Sequence, residues 1–578
     1  MNLRLNIKKP LGGKIYSSNL WVWLTYILFI AFVICIVSTF LDYGITYDED
    51  FQTSYGEKII RWYSSFFQDQ GALTYGNEIN YGGFFVVIGQ LVAKISPMGV
   101  YETRHLLNAF FGLLGVIGAY KLGKYLGGPL AGFLSALFLI LTPSYYGHSF
   151  NNSKDIPMAT LSIFSLYYLI RSIHYLPHPP RGLLVKLGVV LGLTLAVRVG
   201  AVILVGYVGI AFCLWFFGHY WLRKESARVD KDLRATFFRL VESLFGICVI
   251  AYLVMLIWWP AALVRPVVQP VKSLLLSAHF SYPIRVFFEG KTILSTNLPW
   301  YYVPKWFLIS LPEFYFIALA CGLMLIGLTV WKFWKDSNIS NIIDNGSIEI
   351  LILLISIFLP IFHSTFMKAP VYDGIRHYLF IIPPMVVLAA LSLSKLRERI
   401  TLFSTLAIMI AVFVSLVITV IDMVELHPHQ YIYFNRLFGK GVAEAAKSYE
   451  TDYWGNSYKE GVEYIVKNYK NPNEGRKVKV ASCLHSLSTS YFLPEDRFEY
   501  VGTFHHGRTI SDEAEIDVFL ATPRWGCYSQ EKREFFSLSK HRKPNGRVLH
   551  TIGRKGAPLL YIIEVFKDSP QEKEIPLQ

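Results

Sequence analysis

The sequence predicts a polytopic α-helical membrane protein with an α/β domain at its C-terminal end. Three observations carry that expectation. Only 17% of the 578 residues are charged and 53% are hydrophobic, whereas soluble domains run near one-quarter charged. The apolar residues gather into runs of roughly 18–25, the length that crosses ~30 Å of hydrocarbon. Composition then changes abruptly after residue 422, where charge returns. A soluble multidomain enzyme, a disordered chain and a fibrous chain are all excluded on these grounds.

Eleven apolar spans are expected, near 20–41, 104–126, 129–146, 156–173, 183–199, 201–222, 237–259, 306–331, 347–366, 378–394 and 400–422. The first is too long for the apolar core of a signal peptide and lacks a small-residue cleavage site. The segment at 81–96 is apolar but short, and fits a re-entrant or interfacial helix better than a crossing.

Orientation follows from charge. The basic start MNLRLNIKKPLGGK argues for a cytoplasmic N-terminus, residues 1–19. Alternation then puts Lys121, Lys124, RGLLVK at 181–186, RKESARVDKDLR at 223–234, WKFWK at 331–335 and KLRER at 395–399 on the same side. Outside fall the loops 42–103, 147–155, 260–305 and 367–377, together with the tail 423–578. The transmembrane domain is thus 20–422. The net charge of +14 is explained by these cytoplasmic loops, and no nucleic-acid motif accompanies it, so no nucleic-acid partner is expected.

The tail reads as a small α/β domain. Helical patterning at 439–469 precedes strand-like runs at KVKVASC, IDVFLAT, RVLHTIG and LLYIIEVF. Of six cysteines, none shows metal-ligand spacing. Cys483 and Cys527 lie in the outer domain, where a disulfide is chemically permitted; sequence alone leaves their pairing open.

Candidate chemistry concentrates on the outer side. Asp42, Asp48, Glu49 and Asp50 cluster just after the first span, and Asp155 opens the fourth in SKDIP. A solvated acidic loop and a helix-capping carboxylate are the plain readings. Two acids at span ends also suit one cavity, where a carboxylate takes a proton from an acceptor hydroxyl. Cations for a leaving phosphate are available in Lys154, Arg198, Arg376 and His377, with Lys58, Arg61, Arg104, His105, His148 and Lys305 on the same side. Arg198 sits within or at the end of an apolar run, which marks a functional site or a snorkelling side chain. Arg376 follows Asp373, and a plain loop-holding pair is the alternative there. A divalent cation fits between Asp48 and Asp155, but no His or Cys spacing demands a metal.

These residues resemble a known family. TYDED at 46–50 is similar to the Tyr/Phe-Asp-Glu motif of the dolichyl-phosphate-mannose protein mannosyltransferases. NNSKDIPMAT resembles their second acidic motif, LPWYYVPKWFLISLP at 298–312 their aromatic-proline stretch, and YDGIRHYLFIIPP at 372–384 a stretch of bacterial members such as the aminoarabinose transferases. The resemblance spans roughly residues 15–440 and implies the GT-C architecture. It implies transfer of a sugar from a polyprenyl-phosphate donor to a lipid, glycan or protein acceptor on the outer face, with inversion. Asp48 maps to the general base, Glu49 to the adjacent acidic position, and Asp155 to a residue orienting acceptor or cation. No β-trefoil insertion interrupts the spans, which favours a bacterial inner membrane. A transporter or lipid flippase is the competing class, and membrane lipids are partners in either case.

Overall fold

The computed structural model describes residues 15–222, 233–278, 284–336, 347–366, 370–471, 475–484, 486–504, 515–524, 527–529, 534–535 and 546–566. The basic start and the charged stretch at 223–232 lie outside the described residues. The chain begins with helices α1 (Ile15–Thr39), α2 (Glu49–Ser64), α3 (Phe84–Ile95), α4 (Val100–Ile140), α5 (Pro143–Asn151) and α6 (Asp155–Ile173). Next come α7 (Arg181–Leu195), α8 (Val202–Leu222), α9 (Leu233–Trp258), α10 (Pro260–Val264) and α11 (Val268–Ala278). Then follow α12 (Tyr302–Ser310), α13 (Glu313–Asp336), α14 (Ser347–Phe366), α15 (Ile382–Leu396) and α16 (Leu402–Glu425).

Among the described residues, eight helices are long and apolar enough to cross a membrane, or nine when α12 and α13, bent by 108°, count as one span. The protein is therefore a multi-pass membrane protein. The expected eleven differ for identifiable reasons. Helix α4 runs 41 residues and holds two of them, broken at Gly128 with φ +79° just before Pro129. Glycine adopts that left-handed conformation freely, and proline restarts a helix without needing its missing N–H. Helix α7 has only 15 residues, roughly 22 Å at 1.5 Å per residue, which is short of the hydrocarbon thickness. The expected 306–331 span is instead split at Pro312, between α12 and α13.

Apolar side chains on the outward faces, such as Trp23, Ile27, Ile30 and Ile34 of α1, stay exposed while Phe32 and Ile36 are buried. Such a two-sided apolar helix belongs in lipid. Short α3 is no crossing: it buries Phe84, Phe85, Val86 and Val87 against the helices beside it.

The C-terminal domain carries α17 (Tyr458–Asn468) and a five-stranded sheet. Outside it lies a hairpin of β1 (Arg285–Phe288) and β2 (Lys291–Leu294). The sheet uses β3 (Val478–Cys483), β4 (Phe498–Phe504), β5 (Val518–Ala521), β8 (Gly546–Arg554) and β9 (Ala557–Val565), with β6 (Tyr528–Ser529) and β7 (Glu534–Phe535) forming a separate pair. Its order is β4-β3-β5-β9-β8, parallel around β3 and antiparallel around β9. All four expected strands form, and β4 adds a fifth. The expected helical stretch at 439–469 breaks because Asp452 accepts hydrogen bonds from the backbone of Gly455, Asn456 and Ser457, folding the chain into a turn before α17.

Cys483 and Cys527 form a disulfide across 44 residues. Closing a loop of that length stabilises by about 2–4 kcal/mol. Replacing both by serine is expected to lower the unfolding free energy of the protein in nanodiscs by that amount, read from denaturant titration.

Candidate active site

The acidic segment lies between the membrane helices and the C-terminal domain. Gly44 N–H donates to Asn456 Oδ1 at 2.7 Å, Tyr47 N–H to the Trp454 carbonyl at 3.2 Å, and Ser488 Oγ to the Ile45 carbonyl at 2.7 Å. Tyr43 Oη donates to Gln430 Oε1 at 2.8 Å. The stretch thus turns into α2 in a fixed conformation, with Asp48 at the N-cap position.

Asp48 and Glu49 then part. Glu49 accepts from Thr46 N–H at 2.8 Å and Thr46 Oγ1 at 2.9 Å, and pairs with His105 Nε2 at 2.9 Å, all fully buried. The Glu49 N–H in turn donates to the Thr46 carbonyl at 3.2 Å, so the carboxylate and the backbone of Glu49 close one tight turn with Thr46. Asp48 instead keeps its side chain 43% exposed and accepts from Arg376 Nη1 at 2.7 Å. Burial by surrounding protein raises the Asp48 carboxyl, but Arg376, Lys154 and Arg198 outweigh it and hold the group below its ordinary value.

Asp155 comes from the start of α6. Asn152 fixes it reciprocally: Asn152 Oδ1 accepts the Asp155 N–H at 2.9 Å, and Asn152 Nδ2 donates to Asp155 Oδ2 at 2.9 Å. Arg198 Nη2 meets Asp155 Oδ1 at 3.0 Å. Arg198 reaches it because α7 stops at Leu195 and the chain passes through an extended residue, φ −143°, before α8. Gly82 packs against that break: a Cβ there would stand 2.1 Å from the Ala196 carbonyl oxygen. The next N–H but one, that of Phe84, donates to the same oxygen at 3.2 Å.

The remaining cations converge. Lys154 Nζ meets Glu78 Oε2 at 2.9 Å and lies 4.0 Å from the Tyr81 ring centroid. Burial draws the Lys154 ammonium down, but Glu78, then Tyr81 and Asp48, hold it above its ordinary value. Arg376 opens the turn Arg376–Ile381 that leads into α15. It binds Asp373 through Nη2 at 3.1 Å and stands 4.6 Å from the Trp454 ring. Asp373 and Gly374 are both left-handed, φ +58° and +64°, which folds Asp373 back onto Arg376. His377 packs edge-on against Tyr372, with Nε2 3.4 Å from Arg376 Nη2. Arg198 Nε and Arg376 Nε are buried and make no hydrogen bond, so each guanidinium keeps an unspent donor.

Asp48, Asp155, Lys154, Arg198, Arg376 and His377 therefore share one electrostatic neighbourhood, and Glu49 stands apart as a turn-former. Three residues escaped the sequence reading. Glu78 anchors Lys154, Arg524 of the C-terminal domain reaches Asp373 at 2.9 Å, and buried Glu450 lies beside Arg524. Among the described residues, no three His, Cys, Asp or Glu side chains converge to hold a metal. Each acid is paired with an arginine, Asp155 with Arg198 and Asp48 with Arg376.

Burial pushes Glu450 up from 4.5 to about 7, against the pull of Arg524. Its folded value exceeds its unfolded one, so the protein is relieved of this cost below pH ~4.5 and bears it fully above ~7. Glu450→Gln is expected to raise stability at pH 8 by on the order of 3 kcal/mol, with no gain at pH 4; melting curves at the two pH values check this.

Residues 88–230 match the family model of dolichyl-phosphate-mannose-protein mannosyltransferase. That match covers about a quarter of the 578 residues. The matched stretch contains Lys154, Asp155 and Arg198. No curated protein sequence matches the chain. Among solved structures it is similar to apo ArnT from Cupriavidus metallidurans, 12% identical, with 94% of this chain and 98% of that one covered and a TM-score of 0.48. For that ArnT bound to undecaprenyl phosphate the values are 13%, 93%, 97% and 0.45. For the Archaeoglobus fulgidus oligosaccharyltransferase they are 13%, 77%, 62% and 0.39.

Proposed function

We propose that this protein is a membrane glycosyltransferase of the GT-C type that moves a sugar from a polyprenyl-phosphate donor to a hydroxyl of a lipid, glycan or protein acceptor, with inversion, at the periplasmic face of a cell inner membrane. The N-terminus then lies in the cytoplasm and the C-terminal domain outside. One observation carries the reading. Two acids from segments far apart in sequence meet in one cluster, and each is held by an arginine that retains a buried, unpartnered Nε–H.

The chemistry follows from the charges. Asp48, ionised at neutral pH, accepts the proton of the acceptor hydroxyl as its oxygen bonds to the sugar's anomeric carbon. The bond from that carbon to the phosphate oxygen breaks, and its electron pair leaves with the polyprenyl phosphate. Arg198, Arg376 and Lys154 neutralise that charge where it develops, while Asp155 holds Arg198 in place. A lipid tail keeps the donor's phosphate at membrane-interface depth, where span-end residues such as Asp155 and Arg198 reach it. The mannosyltransferase description of the matching family supports a polyprenyl-phosphate donor.

The test is reconstitution in proteoliposomes with a panel of radiolabelled polyprenyl-phosphate sugars and an envelope extract as acceptor. Label passing into the acceptor fraction with release of polyprenyl phosphate is the expected result. Intact donor moving across the bilayer without cleavage would make the protein a flippase.

A further inference from the structure

The C-terminal domain touches the cluster at two places. The Trp454 ring lies 4.6 Å from the Arg376 guanidinium. Arg524, after β5, donates through Nη2 to Asp373 Oδ1 at 2.9 Å, while Asp373 Oδ2 faces Arg376 Nη2 at 3.1 Å. Arg376 Nη1 then reaches Asp48 at 2.7 Å. The order Arg524–Asp373–Arg376–Asp48 is thus an alternation of positive and negative groups running from the domain to the base. Arg524 is 12% exposed, and Asp373 and Arg376 only 2% and 3%. Charges so buried are held by one another.

We infer that Arg524 is a positioning residue of the transfer reaction, holding one oxygen of Asp373 so that Arg376 remains shared between Asp373 and Asp48. Without Arg524, Asp373 has one cation left in contact and draws Arg376 away from Asp48. Arg524 also stands 5.8 Å from the ring of Tyr47, the residue before Asp48. Its turn is fastened: Cys527 N–H donates to the Arg524 carbonyl at 3.1 Å, and Cys527 is bridged to Cys483 at the end of β3. The domain is therefore a wall of the site. The inference rests on the transfer reading above.

The test uses the full chain in nanodiscs. Arg524→Met is expected to lower kcat at least 10-fold, and Arg524→Lys, which keeps the charge, to stay within about threefold of wild type. Adding Asp373→Asn to Arg524→Met removes the unbalanced acid and is expected to restore turnover to within about threefold of Asp373→Asn alone, the coupling of a contacting pair. A merely structural role gives no such rescue. An electron cryomicroscopy structure of Arg524→Met is expected to show the Arg376–Asp48 contact opened beyond hydrogen-bond reach. Wild-type turnover in Arg524→Met, or an Arg376–Asp48 contact that stays closed in it, overturns the assignment. If the wild-type protein transfers no sugar, the transfer reading fails, and the contact seen in Arg524→Met still decides whether Arg524 positions Arg376.

Discussion

Asp48→Asn is expected to reduce kcat by about 10²–10⁴, the usual worth of a positioned general base, while donor binding stays within a few-fold. The amide keeps the volume and still accepts a hydrogen bond from Arg376, so folding is preserved. What it loses is the capacity to take a proton. Because its cationic neighbours hold Asp48 below its ordinary value, the acid limb of kcat/KM attributable to it should lie below pH ~3.9. A limb near pH 6–7 would assign the base elsewhere. Stability has the same sign: the lowered carboxyl stabilises the fold above its unfolded value and loses that contribution as pH falls through the folded one. Steady-state kinetics and titration of donor binding separate the two parts.

Arg376→Met is expected to cost both stability and turnover. It strips the shared partner from Asp48 and from Asp373, the latter 2% exposed. Leaving a buried charge with half its partners costs about 3–5 kcal/mol when a buried pair is broken. Adding Asp373→Asn is expected to recover most of that stability and none of the activity, since the phosphate still lacks its cation. Thermal melts alongside turnover assays distinguish these. Equal recovery of both would make Arg376 a structural residue.

Residues that contradict their surroundings were the ones legible in the sequence. Asp48 and Asp155 stand out because acids beside apolar runs are costly unless used, and Arg198 because it interrupts such a run. The structure gathers all three. Arg524 carried no such contrast: an arginine in a charged tail looks solvated, and its partner Asp373 lies 151 residues away. Glu49 is adjacent to Asp48 in sequence, and only the bonds from Thr46 and the pairing with His105, 56 residues on, separate its role from that of Asp48. The spans were legible by length. Their breaks depended on Gly128, Pro312 and the docking of Gly82 on Ala196, contacts that periodicity does not report.

The central claim is a single displacement in which Asp48 deprotonates the acceptor. The anomeric configuration of the product, read by nuclear magnetic resonance from a donor labelled with ¹³C at the anomeric carbon, tests it most directly. The account predicts inversion in every turnover. Retention would mean that a carboxylate of the cluster attacks the sugar first, and Asp48 would then not be a base.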